Sequence, residues 1–206
     1  MSEPIRKRKQ APEGYSPKQP EIASMMQEHT GQVRHIGEIQ PFQQEFELFY
    51  LPACRVIGVE QTYGPEPGGD RAAAPQWGRV IQSEAWEKMS TLPRVIPRSC
   101  FGWTCDYKPD TKTFQYLVAV LTPAETAVPD GCQFRDVPPT LVAAGRWAES
   151  LEQVIEKMKQ LGYSSRWGEE GCEWNAELYL DEEEHLPTPN GQEWRWLIPC
   201  KQEEAK

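Results

Sequence analysis

The strongest constraint on the fold is an internal repeat in the sequence. The segments LPACRVIGV (51–59) and VPPTLVAAG (137–145) match in the positions of a proline and a valine, and each precedes a predicted helix and a predicted strand hairpin. Self-similarity of this kind is typical of a duplicated supersecondary unit. We therefore predict an α+β fold made by tandem duplication of a strand–helix–strand–strand module. Antiparallel sheets would carry helices on one face, with a ligand cleft between the two pseudo-twofold halves.

Hydrophobic periodicity places two helices in this repeat. The first is predicted over 76–92, where apolar residues recur at helical spacing. The second is predicted over 150–162, where Ser150 and Gln153 fit a capping box and Gly162 ends the helix.

Strand patterns fill the rest of the two units. A hairpin is predicted for 98–107 and 112–121, because the Pro-Asp pair between these segments suits a turn. The other predicted strands are 46–60, with a bend at Pro52, a bent pair within 131–147, 172–180 and 193–200.

Composition sets the broad class of protein. The chain has 206 residues and a net charge of −9, which argues against nucleic-acid binding because such proteins concentrate positive charge on one face. Residues 1–44 are rich in proline and glutamine and predict a flexible arm, followed by one domain over 45–201 and a tail over 202–206. With no apolar run of membrane-spanning length and no secretory signal pattern, we expect a cytoplasmic protein without a membrane partner.

The cysteines and histidines show no metal-binding or catalytic pattern. The six cysteines are scattered without a C-x-x-C spacing, so we expect reduced thiols, no metal site and no cofactor. His29, His35 and His185 fall in the predicted arm or in a loop, which favours solvated side chains over catalytic ones. The acidic run 181–185 is interpreted as a solvated loop between strands.

Strand alternation draws attention to one glutamate. In the segment EWNAELYL (173–180) the apolar residues at even positions point to one face, and Glu177 and Tyr179 point to the other. We expect the apolar set to pack on the helices, which would leave Glu177 on the helix-free face, lining the groove between the halves. A partly desolvated carboxylate there would attract a cation more strongly than in water, and its pKa would be raised.

The order of these motifs resembles that of a known family. The segments LPACRVIG, FQYLVAV, VPPTLVAAG, AELYL and the terminal IPC, with a helix after the first and the third, are similar to the GyrI-like small-molecule-binding domain, also called the AraC-type effector-binding domain. The resemblance covers about residues 45–201, as a stand-alone domain. That family is a tandem duplication of a strand–helix–strand–strand module, so the resemblance implies the same fold as the repeat does.

The resemblance also implies a binding site. In the family an acidic residue in a Phe-Glu-x-Tyr motif lies at the floor of an aromatic cleft, and Glu177 and Tyr179 match that motif, with Ala176 in place of the phenylalanine. Tyr116 corresponds to the tyrosine of a strand that lines the family's cleft. Further aromatic candidates for the ligand site are Phe101, Trp103, Trp147, Trp174 and Trp196.

Three functions stay open at the level of sequence. The first is a sensor or sequestering protein that binds cationic or aromatic amphipathic small molecules through Glu177, without direct contact to nucleic acid. The second, which the resemblance implies for some stand-alone members, is a hydrolase that opens reactive cyclopropane-type compounds with Glu177 as acid or base. The third, suggested by the family name, is inhibition of a topoisomerase through a protein–protein interaction.

Overall fold

The computed structural model describes residues 33–35, 46–65, 73–146, 150–180 and 194–203. These residues form three helices and ten strands, all of the strands in one sheet. The helices are α1 (Ala73–Ile81), α2 (Glu84–Ser90) and α3 (Leu151–Gln160). The strands are β1 (Val33–His35), β2 (Phe46–Leu51), β3 (Cys54–Tyr63), β4 (Ser99–Lys108), β5 (Thr113–Pro123), β6 (Gln133–Val137), β7 (Thr140–Arg146), β8 (Tyr163–Ser165), β9 (Trp174–Leu180) and β10 (Trp194–Gln202).

The strand order shows the duplication. The sheet runs β1-β2-β7-β10-β9-β4-β5-β3-β6, and β8 pairs with β10 at its side. One half is β4-β5-β3-β6 and the other is β9-β10-β7-β2, so that β4 and β9 form the seam between the halves. All pairs are antiparallel except β1 with β2. The prediction of an α+β fold built from a repeated module is confirmed.

In each half of the sheet, one strand comes from the segment of sequence that otherwise forms the other half. β2 leads into β3 but pairs with β7, whereas β6 leads into β7 but pairs with β3. The prediction of one strand over 46–60 with a bend at Pro52 is therefore wrong, because the chain leaves β2 at Pro52 and enters β3 at Cys54 in the other half. Proline has no backbone N–H for a ladder, which suits the point where pairing stops. The bent pair predicted within 131–147 is likewise two strands that pair with different partners.

The first predicted helix is in fact two helices. Ser83 interrupts the 76–92 pattern, since its side chain accepts a hydrogen bond from the Trp86 backbone N–H and caps the start of α2. The apolar periodicity runs through the break because both short helices pack on the same sheet face. α3 has the predicted capping box at Ser150 and Gln153. None of the helices in the described part of the chain is long and apolar enough to cross a membrane.

The two faces of the curled sheet are packed in different ways. The helices lie on one face, where α1 and α2 cover a cluster on the first half and α3 covers a cluster on the second. The opposite face is filled by strand side chains from across the whole sheet, together with Ile96 from the connection before β4. Helices on one face are thus confirmed.

The orientation predicted for Glu177 is wrong. The apolar set of β9, which includes Ala176 and Leu178, packs inside the curl of the sheet and not on the helices. Tyr179 packs with α1 and α2, so Glu177 two residues earlier also lies on the helix-bearing face. Alternation separates the two sets correctly, but it cannot tell which set meets helices, because a curled sheet buries its inner face with its own side chains.

A glycine in β7 holds α3 close to the sheet. A Cβ added at Gly145 would come within 2.5 Å of Val154 in α3, which is fully buried. We expect Gly145→Ala to lower the free energy of unfolding by about 1–3 kcal/mol through overpacking, as measured by urea denaturation. The matched control is Gly78→Ala in α1, where nothing lies within 4 Å of an added Cβ. Because Gly78 is exposed within a helix, Gly78→Ala should instead raise the free energy of unfolding by up to about 1 kcal/mol. If Gly78→Ala lowered it as much as Gly145→Ala does, the packing explanation would be contradicted.

Candidate functional site

Glu177 lies in the middle of β9, at the seam between the duplicated halves. Its directly opposed neighbours are Trp196 on β10 and Gly102 on β4. Directly opposed residues of an antiparallel pair point to the same face, with Cβ atoms about 5 Å apart. Glu177 and Trp196 therefore lie side by side on the helix-bearing face, and both are only partly buried.

Two tyrosines hold the carboxylate through one oxygen. The Tyr116 hydroxyl on β5 donates to Glu177 Oε2 at 2.8 Å, and the Tyr179 hydroxyl donates to the same atom at 3.0 Å. The Trp77 indole N–H on α1 donates to the Tyr116 hydroxyl at 2.9 Å. A chain of donors thus runs from the helix through a phenol to the carboxylate.

Gly102 makes this arrangement possible. A Cβ at that position would lie 2.0 Å from the Tyr116 hydroxyl and 2.6 Å from Glu177 Oε2. A side chain at position 102 would therefore occupy the place where the Tyr116 hydroxyl meets the Glu177 carboxylate. Gly102 is an isolated glycine within a predicted strand, a pattern that often marks a close approach of other groups.

Aromatic rings enclose the buried end of the site. Trp77 meets Tyr179 edge to face, with ring centroids 5.1 Å apart, and Tyr63 meets Tyr116 in the same way at 6.1 Å. Both geometries are favourable for aromatic quadrupoles. Trp77, Tyr116 and Tyr179 are each at most 5% exposed, whereas Glu177 and Trp196 are partly exposed.

The electrostatics of Glu177 are set by burial and by the two phenols. Burial raises the pKa of the Glu177 carboxyl, and the hydrogen bonds from Tyr116 and Tyr179 oppose that rise. Burial, followed by the negative charge of Glu177, raises the pKa of both tyrosines, which keeps them protonated as donors. Within the described ranges no lysine, arginine or histidine forms an ion pair with Glu177.

The structure separates the aromatic residues that the sequence placed in one site. Tyr116, Tyr179 and Trp196 share the face of Glu177. Three others lie inside the curl of the sheet, on the opposite face, at most 3% exposed: Phe101, Trp103 and Trp174. Their placement beside Glu177 is wrong, because they pack on one another, with the two indoles stacked at 4.0 Å. Trp147 lies outside the described residues.

Trp77 was missed by the sequence reasoning. It belongs to the apolar pattern of the helix predicted over 76–92, and it is buried in the structure, at 2% exposure. Periodicity reports burial but not the direction of the indole N–H, so nothing in the sequence indicated the bond to Tyr116.

A cavity of about 760 Å³ lies elsewhere on the molecule, and none of the residues around Glu177 lines it. Its two arginines are neutralised within the site, Arg55 by Asp136 and Arg166 by Glu169. In the described part of the chain no three acidic, histidine or cysteine side chains are placed to share a metal ion.

Comparison with known proteins reveals the fold but no close relative in sequence. No family model and no curated protein matches the chain. The structure of SAV2435 bound to tetraphenylphosphonium is similar with a TM-score of 0.54 and 15% identity, over 77% of this chain and 94% of that chain. A putative transcription regulation protein from Staphylococcus aureus MU50 has a TM-score of 0.49 and 15% identity, over 77% and 99%. The EcmrR C-terminal domain has 0.48 and 14%, over 78% and 99%.

The likeness to SAV2435, together with the duplicated architecture, shows that the chain has the GyrI-like fold. The fold implied by the sequence resemblance is therefore confirmed.

Removing the Tyr116 hydroxyl tests the network. Tyr116→Phe leaves the buried Trp77 N–H without its acceptor and takes one donor from Glu177, so we expect the free energy of unfolding to fall by about 1–3 kcal/mol. Urea denaturation measures the loss. Tyr107→Phe is the matched control, because Tyr107 is 46% exposed and its change should stay within about 0.5 kcal/mol. Equal effects of the two variants would argue against a stabilising network.

Proposed function

We propose that this protein binds lipophilic or aromatic cations at Glu177, as a sensor or a sequestering protein. One observation carries the proposal: a partly buried carboxylate at the seam of the fold, held by two phenols and without a cationic partner among the described residues.

The carboxylate has an oxygen available to a ligand. Both hydrogen bonds converge on Oε2, and within the described ranges no donor contacts Oε1. A carboxylate offers about four acceptor positions, so Oε1 can meet a positive charge without displacing the tyrosines. In a partly desolvated site that attraction is stronger than in water, because less solvent screens it.

The entrance to the site suits an aromatic ligand. Trp196 stands beside Glu177 and is partly exposed, so its indole can contact a bound cation. A cation over an indole face gains about 0.5–2 kcal/mol. Asn175 and Thr104 lie one step further along the same face, opposite each other and partly buried, and they add polar edges to an otherwise aromatic rim.

The shared fold supports this class of ligand. SAV2435, whose structure is similar, is bound to tetraphenylphosphonium, a cation surrounded by four aromatic rings. Such a molecule needs a negative charge and apolar or aromatic walls and cannot use hydrogen-bond acceptors. The groups around Glu177 offer that combination.

Neutralising Glu177 is the direct test. We expect Glu177→Gln to weaken binding of tetraphenylphosphonium at neutral pH at least about tenfold, equivalent to 1.4 kcal/mol, in isothermal titration calorimetry. Glu173→Gln is the matched control. It removes the same charge, but from an exposed residue just before the same strand. Unchanged affinity in Glu177→Gln would show that the carboxylate is not the binding charge.

Binding should weaken as the pH falls. Burial raises the Glu177 pKa above its ordinary 4.5, and only the ionised carboxylate attracts a cation. The affinity is therefore complete above the raised pKa and is lost as the pH falls through it. Tetraphenylphosphonium does not titrate, so the pH profile reports the protein, and Glu177→Gln should give a flat profile. A wild-type midpoint at or below 4.5 would contradict the raised pKa.

The same geometry favours a second candidate function, a hydrolase. A carboxyl whose pKa is raised by burial, with two phenols beside it, has the groups for proton transfer to or from a reactive ring. Incubation with a cyclopropane-bearing electrophile and product analysis separates the two functions. Turnover that Glu177→Gln abolishes would favour the hydrolase, whereas binding without turnover favours the sensor.

A further inference from the structure

Trp77 contacts both phenols that hold the carboxylate, although no contact joins it to Glu177. Its indole N–H donates to the Tyr116 hydroxyl at 2.9 Å, and its ring packs edge to face on Tyr179 at 5.1 Å. It is 2% exposed, so a ligand that enters past Glu177 does not need to touch it.

The hydrogen bond from the Trp77 indole sets the direction in which the Tyr116 hydroxyl donates its proton. An indole N–H only donates, and a phenol has a single proton. Because the Tyr116 oxygen accepts from Trp77, its proton is directed to the other neighbour, Glu177 Oε2 at 2.8 Å. The Tyr179 proton goes to the same atom. Both phenolic protons thus point to Oε2, and within the described ranges no donor contacts Oε1.

The position of Trp77 is itself fixed by its neighbour in α1. The buried Gln76 amide donates to the backbone carbonyls of Val59 and Tyr116, at 2.9 and 3.2 Å, and its oxygen accepts from the Tyr63 hydroxyl at 2.8 Å. Three hydrogen bonds thus tie the first turns of α1 to β3 and β5. The indole N–H is held over the Tyr116 hydroxyl by the sheet that carries Tyr116.

We propose that Trp77 is a positioning residue for cation binding, which acts by orienting and polarising the Tyr116 hydroxyl so that Glu177 stays ionised with Oε1 toward the ligand. The proposal rests on the function proposed for Glu177 and assigns a determinant of its affinity that lies outside the ligand's reach. In a hydrogen-bonded chain each donor strengthens the next one.

The titratable groups around Glu177 are consistent with this role. Tyr116 on β5 and Tyr179 on β9 face the carboxylate, the Cys100 thiol on β4 lies beside Tyr179, and Tyr63 on β3 packs on Tyr116. From α1 the charged residue is Arg79, which bonds to Gln61 at the surface. The Trp77 hydrogen bond lowers the pKa of Tyr116, against the larger effect of burial, and the Tyr116 hydrogen bond in turn lowers the pKa of Glu177.

The first experiment needs no ligand. The Glu177 carboxyl is followed by 13C NMR across pH in the full chain, in wild type and in Trp77→Phe. We expect the Glu177 carboxyl to titrate at a higher midpoint pH in Trp77→Phe, because the Tyr116 hydroxyl that donates to it is no longer polarised by the indole N–H. Trp86→Phe is the matched control: Trp86 is a buried α2 tryptophan of the same cluster, and its loss should leave the midpoint unchanged. An unchanged midpoint in Trp77→Phe would overturn the proposal.

The second experiment measures binding. Trp77→Phe should weaken tetraphenylphosphonium binding at neutral pH by about threefold to tenfold, the range of one hydrogen bond. Adding Trp77→Phe to Tyr116→Phe should cause no further loss if the two act through one hydroxyl, whereas additive losses would contradict the proposal. If Trp77→Phe does not fold, Trp77→3-benzothienylalanine removes only the N–H and serves in both experiments.

The two proposals fail in different ways. If wild-type protein does not bind tetraphenylphosphonium, or if Glu177→Gln binds it equally well, the function proposed for Glu177 fails, and the carboxyl titration still tests Trp77. If Glu177→Gln abolishes binding while Trp77→Phe leaves both the affinity and the carboxyl midpoint unchanged, only the role of Trp77 fails.

Discussion

The pairing of β4 with β9 is the interaction on which the rest of the structure depends. It joins the two duplicated halves into one sheet, and its register sets Gly102 opposite Glu177. Because opposed residues share a face, the missing side chain leaves the space into which Tyr116 reaches from the next strand. A shift of one residue along this seam would turn Glu177 into the apolar interior, where its charge would have no donor.

The two faces of the sheet have separate roles that follow from how each is covered. The inner face is closed by the curl and holds apolar and aromatic side chains, including the stacked Trp103 and Trp174. The helix-bearing face is covered in two patches, by α1 with α2 and by α3, and the seam runs between them. Tyr179 on the seam packs under α1 and α2, while Glu177 two residues earlier stays only partly buried.

Much of the architecture could be predicted from local patterns. The hairpin of β4 and β5, the capped helix α3 and the repeat that relates the halves were all predicted, because turn residues, caps and periodicity act over a few residues. The errors concern partners that are distant in sequence. One strand was predicted where Pro52 separates β2 from β3, and Phe101, Trp103 and Trp174 were grouped with Glu177 although they lie behind it. Aromatic composition indicates neither the face nor the neighbour of a ring.

The sequence by itself determined which residues share a face of each strand, that Glu177 and Tyr179 are on the same side, and that the chain duplicates one module. Those facts follow from the period of a strand and from self-similarity. Only the tertiary structure decided that this side bears the helices, that Gly102 stands across the seam, and that the Trp77 N–H reaches Tyr116. The hydrogen bonds from Trp77 to Tyr116 and from Tyr116 to Glu177 join residues 39 and 61 positions apart. Their geometry depends on the register and curl of the whole sheet, which no local pattern encodes.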